Sequence, residues 1–193
     1  MPRTTPEVSI NITRALTIEG WMDEAEMIWL AEMGSVSHRV VEIGSWMGRS
    51  TRALADNCPG TVLVVDTWSG SGEHKEMLKR QNRNWLHAQF LANISGLTNL
   101  TAMRMSSTSA ASQLLSQNVA PFDMVFIDGS HEYRDVKADI LAWKQLLAPK
   151  GIICGHDYDW DGNQTWLGVK QAVDELLGGV SRAVGSIWYQ VLA

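Results

Sequence analysis

Val40-Val41-Glu42-Ile43-Gly44-Ser45-Trp46-Met47-Gly48-Arg49-Ser50 is the stretch that decides how the rest of the chain is read. An apolar run, suited to a strand buried on both faces, passes into two glycines four residues apart. A helix then opens near Ser50. Glycine accepts positive φ and lets the backbone come close to a ligand. The first N–H groups of the following helix favour a carboxylate or phosphate. Ligands on open α/β sheets sit at the carboxyl ends of the strands, where this loop falls.

The spacing narrows the ligand. A dinucleotide loop would read G-x-G-x-x-G, and a P-loop would end in G-K-[ST]. This loop reads G-x-x-x-G and carries Arg49 where the P-loop lysine would stand. What remains is E-x-G-x-x-x-G, followed by a second strand that closes on Asp66. A carboxylate there suits a ribose diol, because it can accept both hydroxyl hydrogens. A nucleoside-type cofactor is the expectation, and a turn without a ligand is the alternative.

Outward from the loop, β-rich runs alternate with helical stretches. The runs are Arg39–Ile43, Thr61–Asp66, Leu100–Met105, Asp123–Asp128 and Gly151–Gly155. Such alternation predicts a parallel sheet covered on both faces. Tyr133, Val136, Ile140, Trp143 and Leu147 repeat at helical steps and form one apolar stripe, which Pro149-Lys150-Gly151 ends. Met22–Met33 reads as a helix ahead of the first strand, closed by Gly34. After a helix near Leu167–Leu177, Val180–Val184 and Ile187–Leu192 flank Gly185-Ser186 and read as a hairpin. The expected fold is a doubly wound, Rossmann-like α/β sheet of seven strands. It is mostly parallel, with one antiparallel edge strand from the C-terminal hairpin. Residues 1–193 show no linker or repeat and read as one domain.

Composition sets the class. At 193 residues, with 45% hydrophobic and 19% charged residues, the chain can bury a full core. No apolar run is long enough to span a bilayer, and the first residues lack the apolar segment of a secretory signal. Cys58 and Cys154 have no metal-ligand spacing and read as reduced thiols. Together these features predict a cytoplasmic protein. A net charge of −5 argues against a nucleic-acid partner. Lys75, Lys79, Arg80 and Arg83 break that trend. They read as a solvated helix face, with recognition of an anionic substrate as the alternative.

Val41–Thr51 resembles motif I of the class I methyltransferases, in the form seen in catechol and caffeoyl-CoA O-methyltransferases. The likeness continues through Val64–Trp68, Met103–Ser109, Asp123–Tyr133 and Gly151–Tyr158. Ile127–Tyr133 also matches the Ile-Asp-Gly-x-His-x-Tyr pattern of small bacterial macrolide- and sugar-modifying O-methyltransferases. The resemblance implies S-adenosylmethionine as cofactor. Glu42, Gly44, Ser45, Gly48 and Ser50 would then surround its methionine part. Asp66 would hold the ribose, with Thr67 and Trp68 beside the adenine and Ser107 and Thr108 at its edge. Asp128 would lie beneath the methionine part and face the active site.

Asp128 and the pair His156-Asp157 end two strands that the fold sets side by side. In the catechol type the corresponding positions bind a divalent metal. Two carboxylates and an imidazole can supply a facial ligand set for magnesium or manganese. His156 departs from that family's acidic or amide residue, which moves the preference from magnesium towards manganese and other softer ions. A hydrogen-bonded cluster without metal is the alternative. His131 follows Asp128 by three residues, where the catechol type carries its general base. A histidine titrates near neutrality and suits removal of a hydroxyl proton; its other reading is a helix-start residue. Tyr158, Trp160 and Trp166 surround the next loop and could clamp a flat substrate.

The function expected is methyl transfer to a small-molecule hydroxyl. A metal-dependent hydroxylase-like relative and a non-catalytic cofactor-binding module are the alternatives. The expected partner is a small-molecule acceptor, with no nucleic acid and no membrane; self-association into a homo-oligomer stays open.

Overall fold

The computed structural model describes residues 9–72, 74–163 and 165–192. Its centre is β1 (Arg39–Ile43), paired in parallel with β2 (Thr61–Asp66) on one side and β4 (Phe122–Ile127) on the other. Alternate residues of these strands serve opposite faces. Val40, Val64, Met124 and Phe126 join one core, and Val41, Val65, Val125 and Ile127 the other. This explains why β1 and β4 read as unbroken apolar runs.

β3 (Leu100–Arg104) lies outside β2, and β5 (Leu147–Gly155) follows β4, both in parallel. Two short strands complete the sheet: β6 (Ser181–Arg182) and β7 (Trp188–Val191). The order is β3-β2-β1-β4-β5-β7-β6. The reversed strand is β7, antiparallel to both neighbours. It therefore lies one place in from the edge, and β6 is the edge strand. The hairpin is also shorter than its β-rich runs, because Ala183 N–H bonds Ile187 O and spends those residues on the turn.

The first face is covered by α1 (Glu24–Ser35), α2 (Arg49–Ala55) and α4 (Trp85–Asn93), through Met27, Leu30, Leu54 and Phe90. The short α3 (His74–Leu78) precedes α4. The second face is covered by α5 (Ser107–Ser116), α6 (Tyr133–Trp143) and α7 (Leu167–Leu177), through Leu114, Ile140, Trp143 and Val173. Burying one such side chain contributes roughly 1.5–3 kcal/mol.

Two boundaries depart from expectation for clear reasons. Gly34 lies inside α1, not beyond it; a Cβ there would meet the Leu54 carbonyl oxygen at 3.0 Å, so the glycine lets α1 and α2 approach. Pro149-Lys150-Gly151 does not precede β5 but bulges within it. The register jumps from Phe122↔Leu147 to Met124↔Ile152, and Lys150 has φ +63°. Among the described residues no helix is long and apolar enough to cross a membrane.

Candidate active site

A cavity of about 510 Å³ opens at the carboxyl ends of β1, β2, β4 and β5. It lies where the chain leaving β1 and the chain leaving β4 part to opposite faces of the sheet. Gly44, with φ +83°, makes this possible. A Cβ there would meet the Asp128 carbonyl oxygen at 2.2 Å. Gly48, with φ +92°, caps α2 and packs under Phe90.

Asp66 anchors the loop between the two glycines. Its Oδ2 accepts from Ser45 N–H (2.8 Å) and Trp46 N–H (3.1 Å), and its Oδ1 from Trp68 N–H (2.7 Å). A carboxylate offers about four acceptor positions. Asp66 lines the cavity, but three positions serve the backbone. One acceptor position is left beyond those the backbone takes. Ser45 and Ser50 line the cavity, but Gly48 and Glu42, expected around the cofactor, do not; Glu42 is buried behind them and takes the Thr51 hydroxyl. Burial pushes the Glu42 carboxyl up to about 7, against the hydrogen bonds of Ser50, Thr51 and Ser45.

Thr67, Ser107 and Thr108 line the same end. Trp68 does not, and this corrects its expected place beside an adenine. It is 1% exposed, rests on Phe90 and His87, and donates its Nε1–H to Trp46 O. Asp139 was missed. It lies on the buried stripe of α6 between Val136 and Trp143 and lines the cavity beside Ser107, which also accepts from Trp143 Nε1 (2.7 Å). Burial pushes its carboxyl up to about 6, with the Ser107 hydrogen bond pulling the other way. A carboxylate in an apolar stripe was the available signal.

The opposite end holds the expected Asp128, His131, His156 and Asp157. His131 Nε2 lies 3.0 Å from Asp157 Oδ2, and its ring rests against Trp166 with centroids 3.9 Å apart. Gly168 permits this contact, since a Cβ there would strike the His131 carbonyl oxygen at 2.4 Å. His156 Nδ1 lies 3.2 Å from Asp157 Oδ1 and 3.7 Å from Asp128 Oδ1. Burial lowers the pKa of His156, but hydrogen bonds to Asp157 and Glu26 and the Asp128 charge carry it well above the usual histidine value. At Asp128, by contrast, burial dominates and the carboxyl is pushed up to about 8. Asp157 is pulled below the usual range by His131 and His156, against the opposing effect of burial.

Donor atoms of Asp128, His156 and Asp157 lie within 4.8 Å of one another. One imidazole nitrogen and two carboxylate oxygens on a single side form a set that fits a divalent ion. Sequence reading missed the partner of this set, Glu26, whose Oε1 lies 3.0 Å from His156 Nε2. It also missed Trp21 and His74. Trp21, His74 and Trp46 form a ring cluster with centroids 4.7–5.3 Å apart, which walls this end of the cavity together with Trp166. Trp21 is 60% exposed although its ring packs against Trp46 and His74. Tyr158 and Trp160 stack on each other instead, and Tyr158 donates its hydroxyl hydrogen to Asp174. Lys75, Lys79, Arg80 and Arg83 are all exposed, as a solvated face would be.

Residues 41–158 match the family model described as "Methyltransferase domain". Over 126 residues the chain is 30% identical to "Uncharacterized protein y4gI" of Sinorhizobium fredii (strain NBRC 101917 / NGR234). That stretch is 62% of this chain, and the chain spans only 13% of the relative's length. The fold is similar to that of the O-methyltransferase TomG from Streptomyces achromogenes, solved with S-adenosylmethionine (TM-score 0.67, 16% identity, 94% of this chain and 86% of that one). It is also similar to the O-methyltransferase from Bacillus cereus solved with S-adenosylhomocysteine (0.64, 17%, 93% and 86%). The N-methyltransferase NodS from Bradyrhizobium japonicum WM9 shares the fold as well (0.57, 12%, 85% and 90%). At these identities the likeness is one of fold.

Proposed function

The chain belongs to the methyltransferase domain family, and we propose that it uses S-adenosylmethionine to methylate a hydroxyl of a small molecule. The observation that carries this reading is the His131–Asp157 pair, 3.0 Å apart, in the cavity that the glycine loop also lines. S-adenosylmethionine supplies the activated methyl group, and the protein's contribution is placement and proton removal.

The loop from Gly44 to Gly48, with Asp66, Ser107, Thr108 and Asp139, supports binding of the donor at one end of the cavity. Trp21, Trp46, His74 and Trp166 support an acceptor with a flat or ring-shaped face at the other. Ionised Asp157 can only accept, so the hydrogen between it and His131 belongs to Nε2, and the basic nitrogen of His131 is Nδ1. That nitrogen would take the hydroxyl proton as the acceptor oxygen bonds the methyl carbon and the carbon–sulfur bond breaks, with S-adenosylhomocysteine as the leaving group. Asp157 offsets the positive charge that results on the ring.

Asp128, His156 Nδ1 and Asp157 Oδ1 are the atoms proposed to hold a divalent metal, which would polarise the acceptor oxygen. The hydroxylase-like alternative would want a second imidazole on the ion. The nearest, His131, has its Nε2 committed to Asp157.

The test is formation of S-adenosylhomocysteine with paired phenol, sugar and amine acceptors, before and after exhaustive chelation. Turnover with hydroxyl acceptors, lost on chelation and restored better by manganese than by calcium, is expected. Turnover with amines alone would overturn the choice of oxygen. Full turnover after chelation would overturn the metal.

A further inference from the structure

Glu26 is buried at 5% exposure in the first turn of α1, where a carboxylate at that position ordinarily serves only the helix. It does serve the helix. Glu26 Oε2 accepts from Asp23 N–H (2.9 Å), and Glu26 N–H donates to Asp23 Oδ1 (2.9 Å), a complete capping box. The second oxygen turns the other way. Glu26 Oε1 accepts from Ser186 N–H and from His156 Nε2, each at 3.0 Å. The turn between β6 and β7 is shaped around it: a Cβ on Gly185, which has φ +54°, would lie 2.2 Å from that oxygen. The same turn is tied to the site, since Ser186 Oγ accepts from Asp157 N–H (3.1 Å).

We propose that Glu26 is the positioning residue of the metal centre: by accepting the Nε2 hydrogen of His156 it directs Nδ1 at the ion held with Asp128 and Asp157. This rests on the metal reading above. Both Glu26 oxygens already accept backbone N–H groups, Oε2 from Asp23 and Oε1 from Ser186, so the side chain faces its neighbours as an acceptor. Accepting the Nε2 hydrogen fixes the ring with Nδ1 facing Asp128 and Asp157, where a bound ion would take the place of the Nδ1 hydrogen. A carboxylate behind a ligating histidine fixes ring orientation and strengthens the ligand, and its loss typically lowers metal affinity 10–100-fold. The ion, the N-terminus of α1 and the last hairpin thus meet at one side chain.

The capping box supplies a control. Asp23→Ala removes the cap without touching the bond to His156, whereas Glu26→Ala removes both. Calorimetric titration with manganese alone, run on the full chain and both variants, reads the difference, with melting temperature measured on the same samples. Expected is a fall in melting temperature for both variants. Manganese affinity should drop roughly 10–100-fold in Glu26→Ala only, with Asp23→Ala within about twofold of the parent. Should Glu26→Ala fail to fold, Glu26→Gln keeps an acceptor for Nε2–H but places an amide against Asp23 N–H. It should then hold manganese within a few-fold while losing stability. Equal manganese affinity in the parent and Glu26→Ala, or a tenfold loss in Asp23→Ala, overturns the positioning role alone. No manganese uptake by the parent overturns the metal reading and this role with it.

Discussion

The two ends of the cavity are built by different means. The end proposed for the donor is local: Ser45 and Trp46 are held by Asp66, about twenty positions along the chain, through backbone N–H groups. The opposite end is assembled across the whole chain. Glu26 reaches His156 over 130 positions and Ser186 over 160. One end depends on two glycines and a carboxylate that any acceptor chemistry could share. The other depends on side chains that α1, β4, β5, α7 and the last hairpin bring together. The end proposed for the donor is therefore local in sequence, and the end proposed for the acceptor is not.

The largest effect that would break or sharpen this division lies at the acceptor end. His131→Ala should lower turnover by roughly 10²–10⁴, the range for losing a general base. Its melting temperature should stay near the parent's, because the ring lies at the cavity wall and not in either core. The loss should shrink for acceptors whose hydroxyl is already acidic. A variant that loses stability but keeps its rate would make His131 a helix-start residue.

Next comes Asp66→Ala at the donor end. It removes three hydrogen bonds that shape the loop and the one acceptor direction left for ribose. A cost of about 2–4 kcal/mol in binding of S-adenosylhomocysteine is expected, or roughly 30- to 1000-fold. Unchanged affinity would show that the loop holds its form without the carboxylate.

The smallest effect is a pH dependence beneath the donor end. Folded Glu42 keeps its proton up to about pH 7, whereas the unfolded side chain loses it near 4.5. Between these values the native state binds the extra proton, so stability falls as pH rises through that window. Glu42→Gln cannot ionise. Its stability relative to the parent should grow by roughly 1–3 kcal/mol between pH 4 and pH 8. Parallel denaturation curves at both pH values would contradict the burial argument.

Legibility in the sequence follows the same division. Gly44, Gly48 and Asp66 could be read because glycine spacing and a strand-ending carboxylate are local signals. The five parallel strands could be read because burial on both faces makes β1 and β4 nearly continuous in apolar residues. Asp128, His131, His156 and Asp157 were legible only as strand-end residues and through resemblance. Their pairing, with Asp157 shared between two imidazoles, depends on an Asp157 backbone at φ +63° that no spacing announces. Trp68 was misplaced because proximity to Asp66 in sequence says nothing of which way an indole turns. Glu26 was hidden because its capping box fully accounts for a carboxylate at that position. The second role requires the hairpin to arrive from the far end of the chain.

The most direct test of the two-ended site is a calorimetric titration of S-adenosylhomocysteine into the parent chain, His131→Ala and Asp66→Ala side by side. Expected are one-to-one binding to the parent, affinity within a few-fold in His131→Ala, and a loss of at least about 30-fold in Asp66→Ala. No binding to the parent, or a loss in His131→Ala as large as in Asp66→Ala, would contradict it.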